Sequence, residues 1–468
     1  MMQNLISFSG IFIIGFLAWI FSRNRKNINW HLIVWGIVFQ LVFAFILFKV
    51  PLGIAFFSWL NSAVVKLLSF SKSGIHFLFG VLGVSPGEVG PQGEQSLGFI
   101  LVIQALPTII FFSALISLLY YLKVMQFIVG IFSRIFTKLL RISGAESLCA
   151  SSNIFVGIES AFTVRPYLEK MTASELHTIL TVGMATVASS VLSLYVMVLR
   201  NDFPMIAGHL ISASVLSAVA AVIISKLVYP EDDKPLTLGR LVEGQYKSAS
   251  SWIESIINGA NEGVKLCVGI AALLVAFLGI LALFNWLIGF VANPIVRALG
   301  FNFEVTLQGI LGYIFYPLTL IIGVVPSDAM IVSELLGERL VLTEVFAYQH
   351  LSTLISEGAL SSGRSAVLAT YALCGFTHIA SLAIFVGGVS ALIPQRTKDV
   401  ARLGFRALFS ATLACLMTAA VAGVFYTEGA TVLFQSSKMK KPVRLLENLI
   451  PSSKKSHDEP AGRGIFLK

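Results

Sequence analysis

The sequence predicts an all-α, polytopic membrane fold, and three observations carry that prediction. Hydrophobic residues make up 56% of the 468 positions and charged ones only 12%, about half the charged share of a water-soluble domain. Continuous apolar runs such as His31–Val50, Ile206–Val228 and Val264–Leu287 are long enough to cross roughly 30 Å of hydrocarbon as helices. The runs are uninterrupted rather than alternating, which favours helices over barrel strands.

Taken in order, Leu5–Phe21 and His31–Val50 form a helical hairpin around an RNRK loop. The positive charge follows the first apolar run, so this run reads as a membrane helix with a cytoplasmic C-terminal end rather than as a cleaved signal. Phe56–Phe70 is amphipathic, with Trp59, Ala63, Leu67 and Phe70 at helical spacing, and is expected at the membrane interface. The Gly- and Pro-rich loop SPGEVGPQGEQSLG breaks the chain. Leu97–Leu122 follows, with a kink expected at Pro107.

Gly144–Lys170 is small, polar and acid-bearing, yet strong spans flank it. Thr178–Leu199 then breaks at Ser189-Ser190, Ile206–Val228 spans, and residues 230–262 read as a polar connector. The second half repeats this plan: Val264–Leu287, Leu307–Val325 with Pro317 inside, a second acid-bearing segment at 326–351, and Ala366–Ile393 broken at Gly375–His378. Phe405–Phe425 is the final span. Polar, interrupted segments at corresponding places in two halves point to re-entrant hairpins in an inverted repeat, the plan of a transporter binding site. Ordinary extramembranous loops are the other reading.

The expected organisation is therefore 1–95 on the scaffold side, 96–229 as a first repeat with a hairpin near 144–170, and 230–262 as connector. A second repeat covers 263–428 with a hairpin near 326–355, and 429–468 is a basic, weakly ordered tail with a short helix at Val443–Leu449. The tail is expected outside, since the earlier loops fix orientation.

The net charge of +9 lies in short loops between spans, with no basic stripe interleaved with aromatics, so nucleic acid is excluded as a partner. Cys149, Cys267, Cys374 and Cys415 lie in apolar or small-residue stretches with no CxxC or Cys/His spacing and read as packing residues. No GxSxG, HExxH or paired catalytic Asp motif supports an enzyme.

Charge at membrane depth needs a purpose or a partner. Glu159 and Glu344, one in each polar segment, could accept hydrogen bonds from a polar solute or pair with Arg165 and Arg339. Asn153, Val156, Thr186 and Val187 offer amide, hydroxyl and carbonyl oxygens that suit a hard cation, or else cap helix ends. Phe376, His378 and Ser381 offer an aromatic face and polar groups at the late break, although a lone His is more often a hydrogen-bonded core residue.

With these residues in view, the chain resembles the concentrative nucleoside transporter family from the RNRK loop to about residue 425. The stretches that carry the likeness are LPTIIFFSALISLLYYLKVMQ, AESLCASSNIFVG with VRPYLEKMTASEL, QGILGYIFYPL with IGVVPSDA, and ALCGF with IASLAIFVGG. The resemblance implies about eight transmembrane helices, two re-entrant hairpins and a homotrimer in a bacterial inner membrane. It also implies elevator-type uptake of a nucleoside-like solute driven by sodium or protons, with no cofactor beyond the coupling ion. Asn153, Val156, Thr186 and Val187 match the family's sodium ligands, which favours sodium. Gly157, Glu159, Val191, Glu344, Phe376, His378 and Ser381 fall at substrate-binding places. The first hairpin departs from the family: Gly157-Ile158-Glu159-Ser160 is shorter by one residue and lacks the base-reading Gln. His378 stands where the family has a sugar-contacting Asn, which leaves the solute open to a modified nucleoside and binding open to pH. A proton-coupled carrier of another ring-bearing solute, or a transport-inactive sensor, are the alternatives.

Overall fold

A helix satisfies its own backbone, so apolar segments in hydrocarbon fold as helices and neighbours pack by shape. The computed structural model describes residues 2–86, 88–90, 93–157, 160–245, 249–298 and 305–427. Among the described residues the only β pairings are isolated bridges, and eight helices are long and apolar enough to cross a membrane. The tail expected at 429–468 lies outside the described residues, as does its Val443–Leu449 helix.

Helices α1 (Met2–Ile20), α2 (Trp30–Lys49) and α3 (Pro51–Phe79) open the chain. The helix α3 is longer than the expected Phe56–Phe70. Its buried residues Gly53, Phe57, Asn61, Val64, Leu68, Ser71 and Ile75 recur every three or four positions, so one stripe faces protein. Pro107 does not kink a longer helix. A π-helical turn at Leu101–Ala105 leads into α4 (Leu106–Tyr121), where Pro107 sits in the first turn and its missing N–H is harmless. The amphipathic α5 (Val124–Leu140), unforeseen as a separate helix, leads to the first hairpin.

That hairpin comprises α6 (Gly144–Asn153), a turn, and the short α7 (Ser160–Thr163) and α8 (Arg165–Leu168). The broken helix follows as α9 (Ala173–Ala185) and α10 (Ser189–Leu199), then α11 (Ile206–Val228). In the second half, α12 (Trp252–Ala298) begins inside the stretch expected to be connector. Only its residues Gly259 and Gly263 allow the close seat against α4: a Cβ there would come within 2.6 Å of Ser113 O and Ile110 Cα respectively. Next come α13 (Leu307–Ile321), the second hairpin α14 (Ala329–Val341) and α15 (Glu344–Ser356), the broken pair α16 (Gly363–Leu373) and α17 (Ile379–Leu392), and α18 (Thr397–Phe425).

The core is formed by α9, α10, α11, α16 and α18, whose apolar residues are buried almost throughout. Arg364, at the start of α16, ties this core to the first helix by donating to Gly323 O, Asn4 Oδ1, Gln3 O and Ser7 Oγ.

The base of the first hairpin is held by charge. Capping boxes start both α6 (Ser143 with Glu146) and α9 (Thr172 with Glu175). Lys226 of α11 lies 2.6 Å from Glu146 and 3.1 Å from Glu231, all but shut off from solvent. Removing one partner of a buried pair strands the other. Glu146→Gln is therefore expected to lower the melting temperature of the detergent-solubilised protein, by a stability loss of about 3 kcal/mol tempered by Glu231. An unchanged melting temperature would show the pair to be idle.

Candidate functional site

The two hairpins converge on the two helix breaks. At the second break, Cys374–His378, the chain must turn without a helix and at close range. Gly375 has φ +154°, and a Cβ on it would lie 2.6 Å from Cys415 Sγ and 2.8 Å from Ala185 O. Ala185 ends α9, so the two breaks touch, back to back, against α18. The Cys415 thiol lies 3.2 Å from Cys374 O and 3.6 Å from Ala185 O, a weak donor beside both buried helix-end carbonyls.

Glu344 occupies the first position of α15, at the tip of the second hairpin, and is 3% exposed. Tyr195 of α10 donates to its Oε1 at 2.7 Å, and His378 Nε2 lies 2.8 Å from its Oε2. His378 also caps α17: its Nδ1 accepts from Ser381 N at 3.2 Å. An accepting Nδ1 places the ring proton on Nε2, facing the carboxylate. Ser381 completes the same cap. Its hydroxyl accepts from His378 N and shares its one proton between Phe376 O and His378 O. The Phe376 ring stands edge-on to the His378 ring, centroids 6.5 Å apart.

The partner foreseen for Glu344, Arg339, is elsewhere: it is fully buried and donates to Ala372 O at the C-terminal end of α16, where the helix dipole favours a cation. Glu344 instead meets His378, which the sequence reading had as a solute ligand, because the hairpin tip is pressed against the second break. Tyr195 was missed. The only signal for it was a phenol amid the apolar run of α10 (SSVLSLYVMVL).

The first hairpin turns at 154–157, and Glu159 with Ile158 lies outside the described residues, so its expected pairing with Arg165 is not described. Gly157 and Val156 line a cavity, and Val191 is buried in the first turn of α10. Ser189 N donates to Phe155 O at 2.8 Å, which brings the Thr186–Ala188 break against this turn. Thr186, with Val187 beside it, spends its hydroxyl proton on Val182 O and keeps lone pairs free. One terminal atom of the buried Asn153 amide lies 3.1 Å from Val156 O and 2.9 Å from Gly157 O. With nitrogen there, the amide caps the turn. The hydrogen bonds favour nitrogen there, with the amide oxygen then accepting from the Ser160 hydroxyl at 2.7 Å; an ion would require the amide to turn and present oxygen beside the two carbonyls. No cluster of three His, Cys, Asp or Glu suited to a metal exists among the described residues.

Family models described as the N-terminus and C-terminus of Na+ dependent nucleoside transporters match residues 9–82 and 209–423, and a nucleoside recognition model matches 102–201. The nucleoside permease NupC of Helicobacter pylori is 35% identical, over 90% of this chain and 98% of its own. The chain belongs to the concentrative nucleoside transporter family. Solute carrier family 28 member 3 of Mus musculus is also 35% identical over 90% of this chain, which spans 59% of that longer relative. The structure of CNTnw in an inward-facing substrate-bound state superposes with a TM-score of 0.82 at 33% identity, covering 91% of this chain and 98% of that one. These relatives are named as transporters, and the shared architecture is that of a multi-pass membrane protein. Within this family, an acid at the tip of the second hairpin and a broken helix facing it are the features that the sequence and the geometry have in common here.

Proposed function

We propose that this protein takes up nucleosides across a bacterial inner membrane by alternating access, as a homotrimer whose hairpins and broken helices move elevator-fashion against a scaffold. The observation that carries the reading is Glu344: a carboxylate shut from solvent at a hairpin tip, held from two sides by Tyr195 and His378. Each carboxylate oxygen has more than one lone pair, so Glu344 keeps acceptor capacity for sugar hydroxyls after both contacts. Sodium is the proposed coupling ion, supported by the carbonyls of Val156 and Gly157 and the lone pairs of Thr186, with Asn153 and Val187 beside them; the Asn153 amide would turn its oxygen inward to complete the set. Gly157, Glu159, Val191 and Phe376 are proposed to line the solute. Ser381 acts through the cap that orients His378.

Uptake of labelled nucleosides into proteoliposomes, with sodium and proton gradients imposed singly, tests this. Sodium-driven accumulation is the expected result; no accumulation under either gradient overturns the reading. Asn153→Ala is expected to shift the sodium dependence of uptake to roughly tenfold higher concentration, the loss of one oxygen ligand, with the melting temperature little changed. A sodium response equal to the parent's would remove Asn153 from the ion site. A second reading, proton coupling, is favoured by one observation: an imidazole, His378, lies 2.8 Å from the Glu344 carboxylate. Uptake driven by a proton gradient in the absence of sodium distinguishes it.

A further inference from the structure

A cavity of about 490 Å³ separates the tip of the first hairpin from the α4–α12 pair. Val156, Gly157 and Ser190 form one wall, and the opposite wall is the early part of α12. There Asn258, Asn261 and Lys265 follow one another at three- and four-residue steps, so they share a face. The next charge along α12 is Arg297, and everything between is apolar apart from Asn285 and Asn293. Polar groups on a helix that crosses hydrocarbon are costly unless water or a solute meets them.

The face is also fixed in direction. Gly259 and Gly263 seat α12 on α4, and Ser117 with Ser255 exchange hydrogen bonds across the seam at 2.8 Å. The Asn261 amide and the Lys265 ammonium form no hydrogen bond or ion pair within the described residues and are exposed to the cavity. From Ser190, at the cavity, to Tyr195, which holds Glu344, α10 advances five residues, about 7.5 Å at 1.5 Å per residue. Gly157, proposed above to line the solute, also forms part of this cavity's wall, so a nucleoside bound at the hairpin tip has the cavity beside it.

Resting on the nucleoside reading above, we propose that Asn261 and Lys265 form the base-reading subsite of this protein and select bases whose hydrogen-bonding edge carries an oxo group. An ammonium has three donors and no acceptor, so it meets a ring carbonyl and rejects an exocyclic amine. The Asn261 amide carries both a donor and an acceptor and can pair with the adjoining ring N–H. The subsite supplies what the shortened Gly157-Ile158-Glu159 turn lacks, from the scaffold side instead of the hairpin.

Uridine and cytidine differ at this edge in an oxo against an amino group and in a protonated against a bare ring nitrogen, as inosine and adenosine do; the Asn261 amide can meet either ring nitrogen, so the Lys265 contact sets the ratio. The test is kcat/KM for each in proteoliposomes holding the full chain. The parent is expected to prefer uridine over cytidine, and inosine over adenosine, by roughly tenfold or more. Lys265→Met should bring both ratios close to one by lowering the oxo nucleosides, while Lys265→Arg, which keeps the donors, should hold them. Asn261→Ala should weaken all four nucleosides together. A parent with no oxo preference, or a Lys265→Met protein that keeps the parental ratios, overturns the subsite while leaving nucleoside uptake standing. A parent that accumulates no nucleoside overturns the uptake reading, and the subsite with it.

Discussion

Replacing Glu344 with glutamine is expected to cut nucleoside uptake by roughly a hundredfold or more. Hydrogen bonds to a charged acceptor contribute about 1.5–3 kcal/mol each, and a sugar diol would make two of them at this carboxylate. Glutamine has the same shape but is neutral, and one of its terminal atoms is a donor. That donor must face either the Tyr195 hydroxyl, which donates to Glu344, or His378 Nε2, 2.8 Å from its other oxygen. The variant therefore loses solute binding and disturbs the resting contacts together, without the cavity that alanine would leave. Uptake of labelled uridine by matched amounts of both proteins in liposomes is the measurement. A rate within twofold of the parent would remove Glu344 from the site.

Gly375→Ala is expected to destabilise the protein by about 2–4 kcal/mol and to abolish transport. A side chain at φ +154° is strained wherever it occurs, and here the added carbon meets Cys415 Sγ at 2.6 Å and Ala185 O at 2.8 Å. A sulfur at the end of a side chain can shift. The Ala185 carbonyl belongs to the backbone at the end of α9 and can yield only by moving the first break. Gly375→Ala with Cys415→Ala should thus recover part of the melting temperature and little of the uptake. A single Gly375→Ala protein with parental melting and uptake would show that the two breaks do not depend on their close contact.

Much of this fold was legible because hydrocarbon leaves a plain mark on sequence. The apolar spans, both hairpins and both breaks stand out as contrasts of polarity; the break at Gly375–His378 falls where the helices part, whereas the one expected at Ser189-Ser190 lies just before it, at Thr186–Ala188, because the two serines begin α10. What was misread shares one cause: polar residues that meet protein or a cavity look like loop. Helix α3 continues through Ser71-Lys72-Ser73 because Lys72 is neutralised by Glu88, which also lies 2.7 Å from Arg200. Helix α12 begins at Trp252, and Asn258 and Asn261, inside the stretch 230–262 that read as connector, face a cavity instead of lipid.

In the site itself, residue types were readable and partnerships were not. Glu344 was singled out as an acid that needs a reason, and so was His378. That each is part of the other's surroundings, 34 positions apart, follows only from the packing of a hairpin tip on a helix break. Tyr195 carries no sequence signal beyond its hydroxyl in an apolar run. Ser381, chosen as a sugar contact, has its hydroxyl committed to the backbone by the same cap that sets the tautomer of His378.

The contact between Gly375 and Ala185 O makes the two breaks a single mechanical joint. If the proposed ion site beside Thr186 is occupied, its ion adjoins the joint that presents His378 to Glu344, and linkage would require any influence to run both ways by the same factor. Whatever gain in nucleoside affinity a coupling ion confers, the nucleoside returns as a gain in affinity for the ion. On that proposal, cooperative loading would depend on one glycine's missing side chain, because the two breaks meet across a gap too narrow for a methyl group.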